Sequence, residues 1–167
     1  TRTGGEANSV AIRIARASTS KHNVAFCGYH GWHDWYLSSN LSRDKKLGFH
    51  LFPGVQIKGV PRQLKKTSIP FFYGDLKELK RIIKKEKIGI IKMEVARSEK
   101  PNINFLRNVR KLCNKNNIIL IFDECTTGFR ENYGGLHKTL GVNPDIAIFG
   151  KTLGNGYAIN AIIGKKK

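Results

Sequence analysis

An acid and a lysine stand where two short apolar runs end. Residues 118–122 read Ile-Ile-Leu-Ile-Phe and stop at Asp123; residues 146–149 read Ile-Ala-Ile-Phe and stop at Gly150-Lys151, 28 positions after the acid. Runs of this length and composition read as strands buried on both faces. The carboxyl ends of such strands are where open α/β sheets hold their ligands. Asp123 and Lys151 could pair with each other, or they could hold two ends of one ligand ring. A carboxylate at the end of a buried strand needs a partner. A protonated ring nitrogen would serve, and so would the N–H groups of a following turn that Asp123 caps. Lys151 sits among Phe149, Gly150, Leu153 and Gly154, whereas most lysines of this chain stand in charge runs. It is therefore expected to be partly desolvated, which lowers its pKa and favours the neutral, nucleophilic amine. The bland alternative is one more surface lysine. Glu124 follows Asp123 directly and points to the opposite face, so it does a different job.

Two other segments could complete a site. Thr3-Gly4-Gly5-Glu6 precedes a helical pattern. Glycines at a helix N-terminus let an anion such as phosphate approach backbone N–H groups; a plain turn capped by Thr3 is the competing reading. Gly28-Tyr29-His30-Gly31 follows a strand pattern. A tyrosine there can stack on a flat heterocycle and a histidine can orient it; an ordinary aromatic loop is the alternative. His30, His33 and Asp34 are possible metal ligands, but they come from one segment, and strong sites draw on several. No metal is expected. A phosphate cradle, a stacking aromatic, an acid for a ring nitrogen and a nucleophilic lysine together describe pyridoxal phosphate chemistry, in which the cofactor is the electron sink.

The elements that must position these residues alternate. Helical spacing predicts helices over residues 6–17, 76–87 and 104–116, the second capped by Asp75. Strands are predicted at 23–27, 69–73, 88–95, 117–122, 144–149 and 158–163, and a short helix within 131–143. Alternation of this kind argues for one largely parallel sheet covered on both faces. Residues 36–61 form a long irregular stretch bearing Tyr36, Phe49 and Phe52 beside Trp35; a loop of that length is functional or mobile.

Composition narrows the classes. The chain has 167 residues, enough for one α/β domain, and 40% are hydrophobic. No apolar run approaches membrane-spanning length and no leader or lipidation pattern appears, so a cytoplasmic protein without membrane contact is expected. Cys27, Cys113 and Cys125 show neither a CxxC pattern nor even pairing. The net charge of +18 suggests an acidic partner such as nucleic acid. The lysines are scattered among residues rich in Ile and Asn, however, and no nucleic-acid-binding motif accompanies them, so no specific nucleic acid is expected. A basic α/β domain that binds nucleic acid without catalysis is the alternative of another class.

Phe122-Asp123-Glu124-Cys125-Thr126-Thr127-Gly128-Phe129-Arg130, followed by Pro144-Asp145, Gly150-Lys151 and Asn155-Gly156, resembles the cofactor-attachment signature of the class III, fold-type I aminotransferases. The resemblance covers nearly the whole chain. Tyr29-His30-Gly31, Asp34 and Gly59-Val60-Pro61 resemble most the glutamate-1-semialdehyde 2,1-aminomutase branch. This resemblance implies a three-layer α/β/α large domain with a mostly parallel mixed sheet, incomplete at both ends. Residues 1–167 would be one partial cofactor-binding domain, with the family's N-terminal segment and C-terminal small domain outside it.

The resemblance also assigns roles. Lys151 would form the Schiff base with pyridoxal 5'-phosphate and shuttle protons. Asp123 would face the pyridine nitrogen. Cys125, where the family has a small aliphatic residue, would pack on one ring face and Tyr29 on the other, with His30 completing the Tyr-His-Gly. Gly4 and Gly5 would belong to the phosphate turn, Gly5 standing where the family has a hydroxyl residue. Glu94 would lie near the substrate, with Val95 where proline is usual. The activity implied is transfer of an amino group between small molecules, by a transaminase or an aminomutase, or by a relative acting on a sugar or other acceptor. The family's homodimer places the active site at the subunit interface, so the isolated chain is expected to be poorly active.

Overall fold

A computed structural model describes residues 1–42, 56–97 and 99–166. Its six-stranded sheet is built from β1 (Asn23–Cys27), β2 (Ser68–Pro70), β3 (Ile88–Glu94), β4 (Ile119–Asp123), β5 (Ile146–Phe149) and β6 (Ala161–Gly164). The spatial order is β2-β1-β3-β4-β5-β6. The first five run parallel, and β6 pairs antiparallel with β5 at one edge. The helices are α1 (Gly4–Ala17), α2 (Asp34–Leu37), α3 (Leu76–Lys85), α4 (Ile103–Asn116) and α5 (Leu136–Thr139). The expected mostly parallel, three-layer α/β/α arrangement is what forms.

The three longer helices, α1, α3 and α4, each begin where a capping side chain relieves a free N–H group. Thr3 is extended and its hydroxyl accepts from the Glu6 N–H, so α1 starts at Gly4, two residues earlier than periodicity suggests. Asp75 caps α3 through the Glu78 N–H, and Asn102 caps α4 through the Phe105 N–H. Asn117 ends α4 in the left-handed region, with φ 52°. That is why β4 begins at Ile119 and reaches Asp123, later than expected at both ends.

Period-two alternation assigns the faces. Leu120 and Phe122 pack into the cluster beneath α3 and α4, while Ile121 packs into the cluster beneath α1. Asp123 continues the α1 face and Glu124 turns to the other. Small residues on α1, Ala7, Ala11 and Ala15, let its backbone approach the sheet closely. The chain leaves β1 over the α1 face, through Trp35, Tyr36 and Leu37, and leaves β3 over the α4 face. The ends of β1 and β3 therefore border the crevice where connections part to opposite faces, the place where such sheets bind ligands.

One expectation is corrected here. Trp35 and Tyr36 do not belong to an irregular functional loop; they sit in α2 and are buried against Phe26 and His30. Burial of two large rings on the sheet outweighs the loop character of their neighbours. Phe49 and Phe52 lie outside the described residues.

Glu124 fixes the segment after β4. It is fully buried. Its carboxylate accepts from the Thr127 hydroxyl, from His137 Nδ1 at 2.8 Å, and from the backbone N–H groups of His137 and Leu136 at 2.9 and 3.1 Å. Burial would raise its pKa, but these donors outweigh it and hold the carboxyl below its ordinary value. Glu124→Ala strands all four donors. It is expected to cost about 3 kcal/mol or more, read as a fall in the denaturant midpoint, with Glu124→Gln costing less because it keeps one acceptor oxygen.

Candidate active site

Every residue singled out in the sequence arrives at the carboxyl edge of the sheet or at the start of α1. Tyr29 and His30 follow β1, Glu94 ends β3, Asp123 ends β4, and Lys151 opens a 3-10 turn after β5. Asp123 and Glu94 lie side by side in the β3–β4 register.

Asp123 is the most heavily held of them. Its Oδ2 accepts from His30 Nδ1 at 2.9 Å and lies 3.5 Å from Lys92 Nζ; its Oδ1 accepts from the Cys125 N–H at 3.1 Å. Burial alone would raise its pKa. The Lys92 ammonium, the His30 ring and the Cys125 N–H outweigh burial and hold the carboxyl far below the usual carboxylate range. The two hydrogen bonds take two of the roughly four acceptor positions of a carboxylate, Lys92 faces Oδ2 as an ion pair, and acceptor capacity remains for a ligand. The Asp123 carboxylate thus both caps the next turn and keeps a buried charge; the two readings from sequence were not exclusive. His30 Nε2 stands 3.0 Å from the Cys27 carbonyl. Burial, then the Lys92 ammonium, pulls the imidazole pKa down to about 4. Asp123 and the Cys27 carbonyl pull the other way. A neutral ring has one N–H, which we assign to Nδ1 for Asp123, leaving the bare Nε2 against the Cys27 carbonyl.

Lys92 was not singled out from sequence. The signal was present: a lysine in Ile90-Ile91-Lys92-Met93, inside a strand buried along its whole length. Alternation puts it on the face of Ile90 and Glu94, where it meets Asp123.

Lys151 contradicts one expectation. It is exposed rather than desolvated, because it stands on a turn above the sheet edge and not in the apolar run before it. Its Nζ donates to Thr126 Oγ1 at 2.8 Å and makes no pair with Asp123. Its backbone has φ +47°, a left-handed conformation that a non-glycine residue rarely adopts. Such strain is stored at functional positions more often than elsewhere.

Between Lys151 and Asp123 lies a small-residue floor. A Cβ on Gly4 would stand 3.5 Å from Cys125 Sγ; one on Gly150 would stand 3.2 Å from the same sulfur and overlap Asn160. Burial pushes the Cys125 thiol pKa up, so the group packs as a neutral thiol. Gly5 is occupied differently: its side-chain direction meets His33 at 3.1 Å, and Gly31 packs on it. A side chain there would need the His33 ring to shift by a few tenths of an ångström; with glycine in place, the Gly5 backbone alone faces an anion.

Glu94 borders a cleft of about 370 Å³ between the ends of β1 and β3. Glu94 accepts from the Tyr29 N–H at 3.1 Å and from Arg97 Nη1 at 2.9 Å. Gly28 has φ +101°, and a Cβ on it would overlap the Glu94 carboxylate, so glycine is required on both counts. The Arg97 guanidinium lies 5.6 Å from the centre of the Tyr29 ring, and Tyr36 meets that ring edge-on. Arg97 and Lys100 carry the positive charge of the cleft. Among the described residues no group of three or more His, Cys, Asp or Glu is placed to hold a metal ion.

The family described as Aminotransferase class-III matches over residues 1–167. The chain belongs to the class III aminotransferases. It is similar to the 3-aminobutyryl-CoA aminotransferase of Cloacimonas acidaminovorans, 39% identical over 99% of this chain and 38% of that protein. It is similar to the glutamate-1-semialdehyde 2,1-aminomutase of Nitrosopumilus maritimus, 38% identical over 99% of this chain and 39% of that protein. The FumI protein of Sphingopyxis sp. MTA144, solved in its PLP internal aldimine form, superposes with a TM-score of 0.78 at 25% identity, over 98% of this chain and 38% of FumI. This class III chain therefore spans about two fifths of the length of the relatives it matches. Family and structural likeness indicate pyridoxal phosphate as the cofactor.

Proposed function

We propose that this class III chain carries the cofactor-binding part of an enzyme that transfers amino groups with pyridoxal 5'-phosphate, acting as a transaminase or an aminomutase on small-molecule amino donors and acceptors. The observation that carries the reading is the Asp123 carboxylate: buried, kept ionised by its neighbours, and left with acceptor capacity at the sheet edge where Gly4, Cys125 and Lys151 also meet. This donor set fits the cofactor. The start of α1 at Gly4 and Gly5 suits a phosphate, Asp123 suits a protonated ring nitrogen, Cys125 and Tyr29 suit the ring faces, and Lys151 is an accessible primary amine.

The bound cofactor supplies an aldehyde that bonds amines and a ring that withdraws electrons from the substrate's α-carbon. Lys151 Nζ is the attachment point. Thr126 Oγ1 accepts one of its protons and orients it. With the amine free, Lys151 would be placed to take the proton from the substrate's α-carbon and return it elsewhere. Asp123 holds the ring nitrogen's proton, and His30 fixes Asp123. The cleft beside Glu94 and Arg97 receives the substrate, the guanidinium suiting a carboxylate.

We place this enzyme in the cytoplasm as a homodimer. No described helix is long and apolar enough to cross a membrane. Trp32, Tyr133 and Tyr157, exposed at 70%, 95% and 80%, are aromatic anchors of the kind a subunit contact buries.

Borohydride treatment of the protein with pyridoxal phosphate, followed by peptide mass mapping, tests the reading. The reduced cofactor is expected on Lys151. A label on any other lysine, or none, would overturn the assignment.

A further inference from the structure

Lys92 is fully buried in β3. Its Nζ lies 3.5 Å from Asp123 Oδ2 and makes no hydrogen bond among the described residues. Removing an ammonium from water on those terms is expensive, and a methionine would fill similar space without that penalty. Asp123 does not need it as a donor, because the His30 ring and the Cys125 N–H already serve the carboxylate. What Lys92 adds is charge: burial lowers its pKa, and Asp123, 3.5 Å away, opposes that and favours the ammonium. The titratable groups that face it are Asp123 and Cys125 from β4 and its turn, Glu94 from its own strand, and His30 from the loop after β1.

We propose, building on the pyridoxal phosphate reading above, that Lys92 is a positioning residue that shares the Asp123 charge with the cofactor's ring nitrogen, so that Asp123 holds that nitrogen's proton less firmly than an unshared carboxylate would. Two cations around one carboxylate repel, and each lowers the other's hold on its proton. With the cofactor bound, Lys92 moderates the ring's pull on electrons. Without it, Lys92 is the counter-ion of Asp123 and adds to burial in disfavouring protonation of His30, since a second positive charge beside the same carboxylate is disfavoured.

Two readouts on the purified protein test this. The first uses no cofactor: the His30 imidazole is followed by NMR against pH. In the unmodified protein it should show no protonation between pH 5.5 and 7.5, in keeping with a pKa near 4. Lys92→Met should raise its midpoint by about one unit or more, and Lys92→Arg should leave it in place. The second follows the pH titration of the bound cofactor's visible band. Lys92→Met should move its midpoint up by about one unit, and Lys92→Arg should restore it.

An unmodified His30 titrating near its ordinary value would overturn the coupling even if Lys92→Met did not fold. An unmoved visible midpoint in folded Lys92→Met would overturn the effect on the cofactor. A protein that binds no pyridoxal phosphate would overturn the underlying reading, while the His30 titration would still decide whether Lys92 governs Asp123.

Discussion

Lys151→Ala is expected to fold as the unmodified protein does and to lose turnover by a factor of about 10³ or more. The two halves of this expectation have separate causes. Lys151 is exposed, and its side chain makes one hydrogen bond among the described residues, to Thr126 Oγ1. Removing such a group changes stability within about 0.5 kcal/mol. The φ of +47° is as unfavourable for alanine as for lysine, so backbone strain is unchanged. The chemistry is lost because no other described amine occupies this position. Lys92 is the nearest rival by charge, and it is sealed in the sheet against Asp123. The measurements are the thermal midpoint, the visible band on adding pyridoxal phosphate, and turnover with an amino donor. A borohydride-fixed cofactor in folded Lys151→Ala would sink the assignment of the attachment point.

The contrast between Lys151 and Lys92 also shows what the sequence could and could not convey. Strand ends were legible because apolar runs of four to seven residues in a Lys-rich chain admit few readings, and those ends placed Asp123, Glu94, His30 and Lys151 on one edge. The opposite facing of Asp123 and Glu124 followed from period two alone. The environment of each lysine was not legible from its neighbours in the chain. Lys151 follows an apolar strand yet stands clear of it, because Gly150 and the left-handed backbone turn it out over the edge. Lys92 looks anomalous in an apolar strand, but only the register of β3 against β4 shows that the anomaly has a partner. Trp35 and Tyr36 misled for the same reason: their fate was set by the face of β1 they cover, a contact that local composition does not report.

Asp123→Ala should lose both activity and fold stability. The substitution leaves the buried Lys92 ammonium, the His30 Nδ1–H and the Cys125 N–H without their acceptor. Breaking a buried pair by removing one member costs about 3–5 kcal/mol, a large share of the 5–15 kcal/mol that holds a typical domain together. The carboxylate's folded pKa lies below its unfolded value, so its contribution is fully present above the unfolded value and fades as pH falls towards the folded one. The stability gap between the unmodified protein and Asp123→Ala should therefore be widest at pH 6–8 and narrow below about pH 4. Asp123→Asn separates charge from shape: it can still accept from the Cys125 N–H, so its stability loss should be smaller, while Lys92 remains unpaired and the ring nitrogen loses its anionic partner. Chemical denaturation at several pH values, with cofactor affinity measured alongside, checks the whole series. A gap between the unmodified protein and Asp123→Ala that stays constant from pH 7 to pH 3 would show that the carboxylate is not the charged partner that the Lys92–Asp123–His30 geometry requires.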